Sequence, residues 1–267
     1  MTPYYHNDRF DLTIVHADCL TAFGDLAPES LDFIVTSPPY AQKFEYEPDL
    51  DWDGLNELTH AWAAAAYPVL KASSFCVVVF GETSRYEKTM AELYNAAFRA
   101  HNFVMHSRRV WVKDLGRLSL PRSGIRYTYP IPEWEFIWTF RKPPHTKEIK
   151  RAPKFTSRGI WDTTGEDAMA LPKSEHPAPF PVGIPVRAIL SWTDERDLVL
   201  DPFGGSGTTL IACAQTKRRG LMFEREEAYC ELAARRLESY LDAGLFPDDQ
   251  AVAPQVLPLS TGKEITL

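Results

Sequence analysis

The chain has 267 residues, 45% hydrophobic and 24% charged. That composition is globular, with length for one large domain whose core needs no disulfides. The longest apolar runs, such as residues 76–80, are far too short to span a bilayer, and no basic-then-apolar leader opens the sequence. A cytoplasmic protein is therefore the expectation, with neither a membrane nor a secreted role. Cys19, Cys76, Cys213 and Cys230 lie far apart without a Cys-x-x-Cys pair, so free buried thiols are expected and no zinc site.

In chain order, residues 12–15 and 31–35 read as strands, 61–70 as an Ala-rich helix and 74–80 as a near-continuous apolar strand. A helix over 85–100 precedes two aromatic-rich strands, 104–112 and 134–140. A polar, Pro-punctuated stretch, 142–185, shows little periodicity. Alternation then resumes with a helix over 186–192, a strand over 198–200, a helix from Thr208, a strand over 220–223 and a helix over 226–241. Alternation of this kind predicts an α/β domain with a mainly parallel sheet. The tail, 243–267, is rich in Pro and Gln and is expected to lie on the surface.

The net charge of −7 argues at first against a nucleic-acid partner. Residues 106–160, however, hold 13 Lys and Arg against four acids, a local +9, and leave −16 on the remainder. Such an asymmetry predicts a polyanion-binding face on an acidic body, although a solvated loop-rich surface has the same composition. Within the segment, Arg117, Arg122 and Arg126, with Tyr127 beside them, and Lys147, Lys150, Arg151, Lys154 and Arg158 are the candidate phosphate contacts.

Asp201-Pro202-Phe203-Gly204-Gly205-Ser206-Gly207-Thr208-Thr209 follows a predicted strand and opens a predicted helix. Glycines there permit a tight turn and close approach to a ligand, and the helix N-terminus offers free N–H groups. No Lys follows, so this is not a phosphate-cradling Walker loop. Glu224 stands 20 residues after Gly204 at the end of the next apolar run, where a doubly wound fold bonds ribose hydroxyls. The pair predicts a nucleoside-containing cofactor and leaves a nicotinamide dinucleotide and S-adenosyl-L-methionine both open.

Thr36-Ser37-Pro38-Pro39-Tyr40 directly follows another predicted strand. Two prolines fix φ and remove two backbone donors, leaving a rigid turn that presents acceptors and one aromatic ring. Such a turn suits a planar substrate with an amino group: Tyr40 stacks, while the Ser37 hydroxyl and Pro38 carbonyl accept the N–H bonds. A surface Pro-Pro turn with a packed Tyr reads the same way.

Together these strings resemble motifs IV and I of the amino-methylating DNA methyltransferases, in the β-class order of catalytic motif first and cofactor motif last. The run 15–20, containing Asp18, resembles the motif whose acid contacts the cofactor's adenine. Residues 133–142 resemble the late hairpin strand, and 176–181 with the helix beyond resemble motif X, where His176 reads as structural. Phe223-Glu224, with Tyr229 and Arg236, resembles the ribose-binding strand and its helix. The resemblance implies a circularly permuted Rossmann-like, S-adenosyl-L-methionine-dependent methyltransferase fold: a mainly parallel seven-stranded sheet with an antiparallel hairpin. It divides the chain into a catalytic half (1–141), a target-recognition insertion (142–175), a cofactor half (176–242) and the tail. It also implies Ser37, Pro38, Pro39 and Tyr40 as catalytic and residues 201–209 with Asp18 and Glu224 as cofactor-binding. Double-stranded DNA is the implied partner; a second copy of the chain and a cognate restriction endonuclease are candidate partners by the same analogy, and a nucleoid-associated location follows.

Methylation at cytosine carbon 5 needs a thiolate from a Pro-Cys pair, and no cysteine here follows a proline. The reaction left is at an exocyclic amine. Serine in Thr-Ser-Pro-Pro-Tyr resembles the cytosine-N4 enzymes, and the adenine-N6 form of the same class is the alternative. A nicotinamide-dependent oxidoreductase and a DNA-binding module with a degenerate core are further readings; the first leaves Ser-Pro-Pro-Tyr and the basic segment unexplained, and the intact motifs oppose the second. Residues 42–52, with Phe44, Tyr46 and Trp52, read as a loop over a flipped base or as a surface loop. No metal is called for by any His, Cys or Asp spacing.

Overall fold

The computed structural model describes residues 1–39, 50–82, 89–113, 134–145, 153–162 and 180–244, with Lys154 and Phe155 described in backbone only. In chain order the elements are β1 (Tyr5–Asn7), β2 (Leu12–His16), α1 (Cys19–Phe23), β3 (Leu31–Thr36), α2 (Trp52–Val69), β4 (Leu70–Phe80), α3 (Met90–Ala100), β5 (Val104–Val112), β6 (Trp134–Arg141), β7 (Ile160–Asp162), α4 (Gly183–Trp192), β8 (Leu198–Asp201), α5 (Thr208–Thr216), β9 (Arg219–Glu224) and α6 (Glu227–Asp242). A single 3-10 turn, Lys154–Ser157, precedes β7.

The strands form one sheet in the order β1-β2-β9-β8-β3-β4-β6-β5-β7. The run from β2 to β4 is parallel throughout, and β6 joins it antiparallel to both β4 and β5. β3 is buried along its whole length, and so is β4 except at Lys71 and Ala72. Strands covered on both faces read as continuous apolar runs, which is why 31–35 and 74–80 stand out in the sequence.

Alternation of side chains sorts the core into two layers. Phe33, Val35, Val77 and Val79 pack with Ile184 and Ile189 of α4 and Leu210 and Ile211 of α5. Ile34, Cys76, Val78 and Phe80 pack on the other face with Trp62 of α2 and Leu93 and Phe98 of α3. Phe98 stacks on Phe140 of β6, with ring centroids 4.0 Å apart and planes 16° from parallel. All four cysteines are free and buried, as expected. No helix among the described residues is long and apolar enough to cross a membrane.

Three expectations change. The sheet has nine strands among the described residues, not seven, because β1 and β7 each add a three-residue edge. Three residues are too few to carry a period-two signal. β7 lies inside the stretch expected as a recognition insertion, yet it pairs parallel to β5, and its Trp161 is 2% exposed in the core. Part of that stretch is therefore core. Helix α2 begins at Trp52, nine residues ahead of the Ala-rich run, because the Asp51 carboxylate caps it by accepting from the Gly54 amide at 2.8 Å. Trp52 thus opens a helix instead of closing a loop.

Candidate active site

β3 leads through α2 to β4 on one side, and β8 leads through α5 to β9 on the other, with the two helices on opposite faces. Between β8 and β3 the connections diverge. An open α/β sheet leaves a crevice at the carboxyl ends of its strands at such a point. Here that crevice is a cleft of about 1020 Å³, including its open mouth.

The sequence-predicted residues Ser37, Pro38 and Pro39 form one wall at the end of β3. Pro202, Phe203, Gly204, Gly205, Ser206 and Thr208 form another, and Asp18 and Glu224 lie at the ends of β2 and β9. Asp201, Gly207 and Thr209, predicted for the same role, do not line the cleft. They stand behind the wall and shape it. Tyr40 lies outside the described residues.

Asp201 is 1% exposed and is the hub of the wall. Its Oδ1 accepts from the Thr36 hydroxyl at 2.7 Å and from the Phe203 amide at 3.1 Å; its Oδ2 accepts from the Thr209 hydroxyl at 2.6 Å. Burial pushes its carboxyl up to about 6, and the three donors pull against that shift without cancelling it. Gly207 sits at φ +78° just ahead of α5, and a Cβ on it would meet the Ala233 Cβ at 2.8 Å. A left-handed backbone and a close α6 neighbour both require glycine there.

Glu224 braces the glycine loop from the neighbouring strand. Its Oε2 accepts from the Gly205 amide and its Oε1 from the Glu226 amide, each at 2.8 Å. Burial raises this carboxyl also, against the pull of those amides. With the Arg225 amide as a third donor, the carboxylate still keeps acceptor capacity for a ligand hydroxyl. Asp18 spends Oδ1 on capping α1, at 2.9 Å from the Leu20 amide.

Further side chains complete the wall: Arg236 and Phe180 belong to stretches the resemblance singled out, whereas Leu58 and Trp62 escape sequence reasoning. Arg236 of α6 clamps the loop, donating to the Ser206 carbonyl at 2.5 Å and the Ser206 hydroxyl at 2.9 Å. Leu58 of α2 lines the cleft, and Trp62, one turn on, meets Phe203 edge-on at 5.8 Å. The helical periodicity of α2 marks both as core, and nothing in the sequence points that face at a ligand. Phe180, just ahead of α4, adds an apolar wall.

Arg117, Arg122, Arg126, Lys147, Lys150 and Arg151 fall outside the described residues. The turn carrying Lys154 sits against the last turn of α4, where the Thr156 and Ser191 hydroxyls are 3.1 Å apart. Arg158 is exposed and is not among the residues that line the cleft. Among the described residues, no group of three or more His, Cys, Asp or Glu is placed to hold a metal ion.

An acidic cleft with apolar walls, a braced glycine turn and an adjacent Ser-Pro-Pro turn can hold a cationic nucleoside beside a planar amine. A sequence model of the DNA methylase family, the N6 and N4 methyltransferases, matches residues 31–235. The chain belongs to that family. It is 26% identical over 256 residues to the type II methyltransferase M2.MboI of Moraxella bovis, covering 88% of this chain and 90% of that protein. A DNA modification methylase of Thermus thermophilus, solved with S-adenosyl-L-methionine, superposes with a TM-score of 0.65 at 25% identity, covering 88% of this chain and 94% of that one. The PvuII cytosine-N4-specific DNA methyltransferase, at 22% identity and a TM-score of 0.67 over 90% of this chain and 93% of that one, shares the fold. The family's methyl donor is S-adenosyl-L-methionine. The cleft therefore belongs to a DNA methyltransferase, and the nicotinamide reading is set aside.

Proposed function

We propose that the protein methylates the exocyclic N4 amine of cytosine in duplex DNA at specific sites, by direct transfer to a base swung out of the helix. The observation that carries this reading is that the Ser37-Pro38-Pro39 turn and the glycine loop are walls of one cleft at the switch point of the sheet. The residues fit the donor's chemistry. Glu224 keeps acceptors for the ribose hydroxyls, Phe180, Phe203 and Phe223 offer faces to the adenine, and Asp18, Glu224 and Glu226 outnumber Arg225 around a cationic ligand. When bound, the cofactor supplies a methyl group on a sulfonium, which needs no covalent intermediate with the enzyme.

The amine nitrogen of cytosine is a poor nucleophile because its lone pair is delocalised into the ring. The Ser37 hydroxyl and Pro38 carbonyl accept its two hydrogens and so favour a pyramidal nitrogen with a localised lone pair. Pro38 and Pro39 hold those acceptors rigid, so catalysis is chiefly positioning. Unstacking the base costs about a few kcal/mol, and stacking on Tyr40 offsets about 1–3 kcal/mol of it. Serine at position 37 supports cytosine over adenine.

The test supplies methyl-labelled S-adenosyl-L-methionine with duplex DNA of mixed sequence and separates the digested nucleosides. Label in N4-methylcytosine is expected. Label in N6-methyladenine alone would overturn the base assignment, and no label from a folded preparation that binds cofactor would overturn the function.

A further inference from the structure

Thr36 is the last residue of β3, fully buried, and its hydroxyl does not face the cleft; it is spent on the Asp201 carboxylate. The bond joins residues 165 apart in the chain and bridges the two strands that flank the switch point. One residue beyond Thr36 is Ser37, whose turn faces the substrate. Two residues beyond Asp201 is Phe203, whose amide the same Oδ1 accepts. A single oxygen thus ties the start of the catalytic turn to the start of the glycine loop.

We propose that Thr36 is a positioning residue that locks the catalytic turn and the cofactor loop into one unit, so that ordering of the loop by cofactor also sets the Ser37 acceptor. The proposal rests on the methyltransferase reading above. The chemistry of Asp201 makes the lock sensitive. The carboxylate has three neutral donors, one each from β3, the loop and α5, and no Lys or Arg within ion-pair distance among the described residues. The titratable groups facing it are Glu224 at the end of β9, which opposes its ionisation, and Cys213 on α5, a buried thiol that the Asp201 charge in turn helps to keep protonated. Ionised, it can hold all three donors. Protonated, one oxygen becomes a donor to which a threonine hydroxyl must turn as acceptor, and the charge that strengthens the remaining bonds is gone. Removing the Thr36 hydroxyl takes one of three supports from the charged form, which moves the titration to higher pH.

The experiment compares the native protein with Thr36→Val, which keeps the shape and loses the donor, and Thr36→Ser, which keeps the donor. Affinity for S-adenosyl-L-methionine is titrated from pH 5 to 8, and methyl transfer is followed in single turnover at saturating cofactor. A lost bond to a charged acceptor corresponds to about a tenfold to hundredfold effect. Valine is expected to weaken cofactor binding about tenfold at pH 7, to move the pH midpoint of binding upward, and to slow transfer about tenfold even when cofactor saturates. Serine is expected to restore all three. A role confined to stability would lower the melting temperature and leave the midpoint in place. An unmoved midpoint, unchanged transfer at saturation, or failure of serine to rescue would each overturn the coupling. Native protein that binds no cofactor would instead overturn the functional reading beneath it.

Discussion

Arg109 of β5, a residue only 6% exposed, donates through Nε to the backbone carbonyl of Arg158, 3.2 Å away. Its Nη2 reaches the Thr156 carbonyl at 2.7 Å, its Nη1 the Ser107 hydroxyl at 2.5 Å, and its plane lies 5.3 Å from the Trp161 ring and 5.6 Å from Trp192. No carboxylate pairs with it among the described residues. A buried cation is thus satisfied by carbonyls, hydroxyls and π-faces, and burial pulls its pKa down. The turn 154–157 and the strand after it hang on this side chain.

Arg109→Met leaves two carbonyls of that segment without their donor. Each orphaned acceptor costs about 1–3 kcal/mol, so a total loss of about 2–4 kcal/mol is expected in urea unfolding. Hydrogen exchange over 156–162 should accelerate ahead of the rest of the sheet. Cofactor affinity should change less than about twofold, because the cleft lies at the other end of α4.

Asp201 predicts a pH dependence of stability. Its carboxyl, pushed up to about 6 from an ordinary 3.8, favours folding while protonated. That contribution is full below about pH 4 and is lost as the pH rises through 6. Asp201→Asn carries no such titration. Relative to the native protein, the variant should gain about 2–3 kcal/mol between pH 4 and pH 7, measured by urea unfolding of the two in parallel. A difference flat across that range would place the Asp201 titration at its ordinary value.

A methyl group at Gly204 would stand 2.4 Å from the Met222 Cε and 2.8 Å from its Cβ. The tip of methionine can swing away; the Cβ is fixed to β9. Gly204→Ala should therefore cost about 1–3 kcal/mol, with loss of cofactor binding. Met222 is fully buried, so Met222→Ala alone costs about 2–5 kcal/mol; combined with Gly204→Ala the loss should be smaller than the sum of the two, since the tip is gone and the fixed Cβ stays.

Binding to DNA should weaken with salt, each neutralised phosphate adding about 0.9 to the log–log slope. Arg158→Glu tests the placement of the described part of the basic segment. With Arg158 outside the cleft lining, the slope should fall by less than about 0.9, whereas Lys150→Glu should lower it by that amount or more.

The long elements were legible because each buries a regular face. Residues 104–112 read as a strand and form one, and the apolar run of β9 differs by one residue at each end. What escaped were β1 and β7, whose pairing depends on neighbours already in place, and the first turns of α2, where Asp51 supplies the start and Gly54 and Asn56 blur the pattern. The cleft was legible through its strings: Ser37 to Pro39, the glycine loop and Glu224 meet as the spacing implied. The division of labour within the loop was not. Nothing about Asp201 in sequence says that it faces Thr36 and not the ligand, because the partner is 165 residues away. The resemblance marked Arg236, but its grip on Ser206 shows only once α6 is folded against the loop.

The sheet order also governs the schedule on which this protein can be made. β2 is paired on one side by the hairpin strand β1, but its other edge waits for β9, some two hundred residues later, and β3 waits for β8. A nascent chain that has already displayed Ser37 still lacks the strand that would order it. Until the ribosome has delivered the last quarter, two apolar edges stand open to pairing with other chains. Synthesis, not gene order, therefore decides when the methylating centre first exists, and chaperone capture of the growing chain should concentrate in that interval.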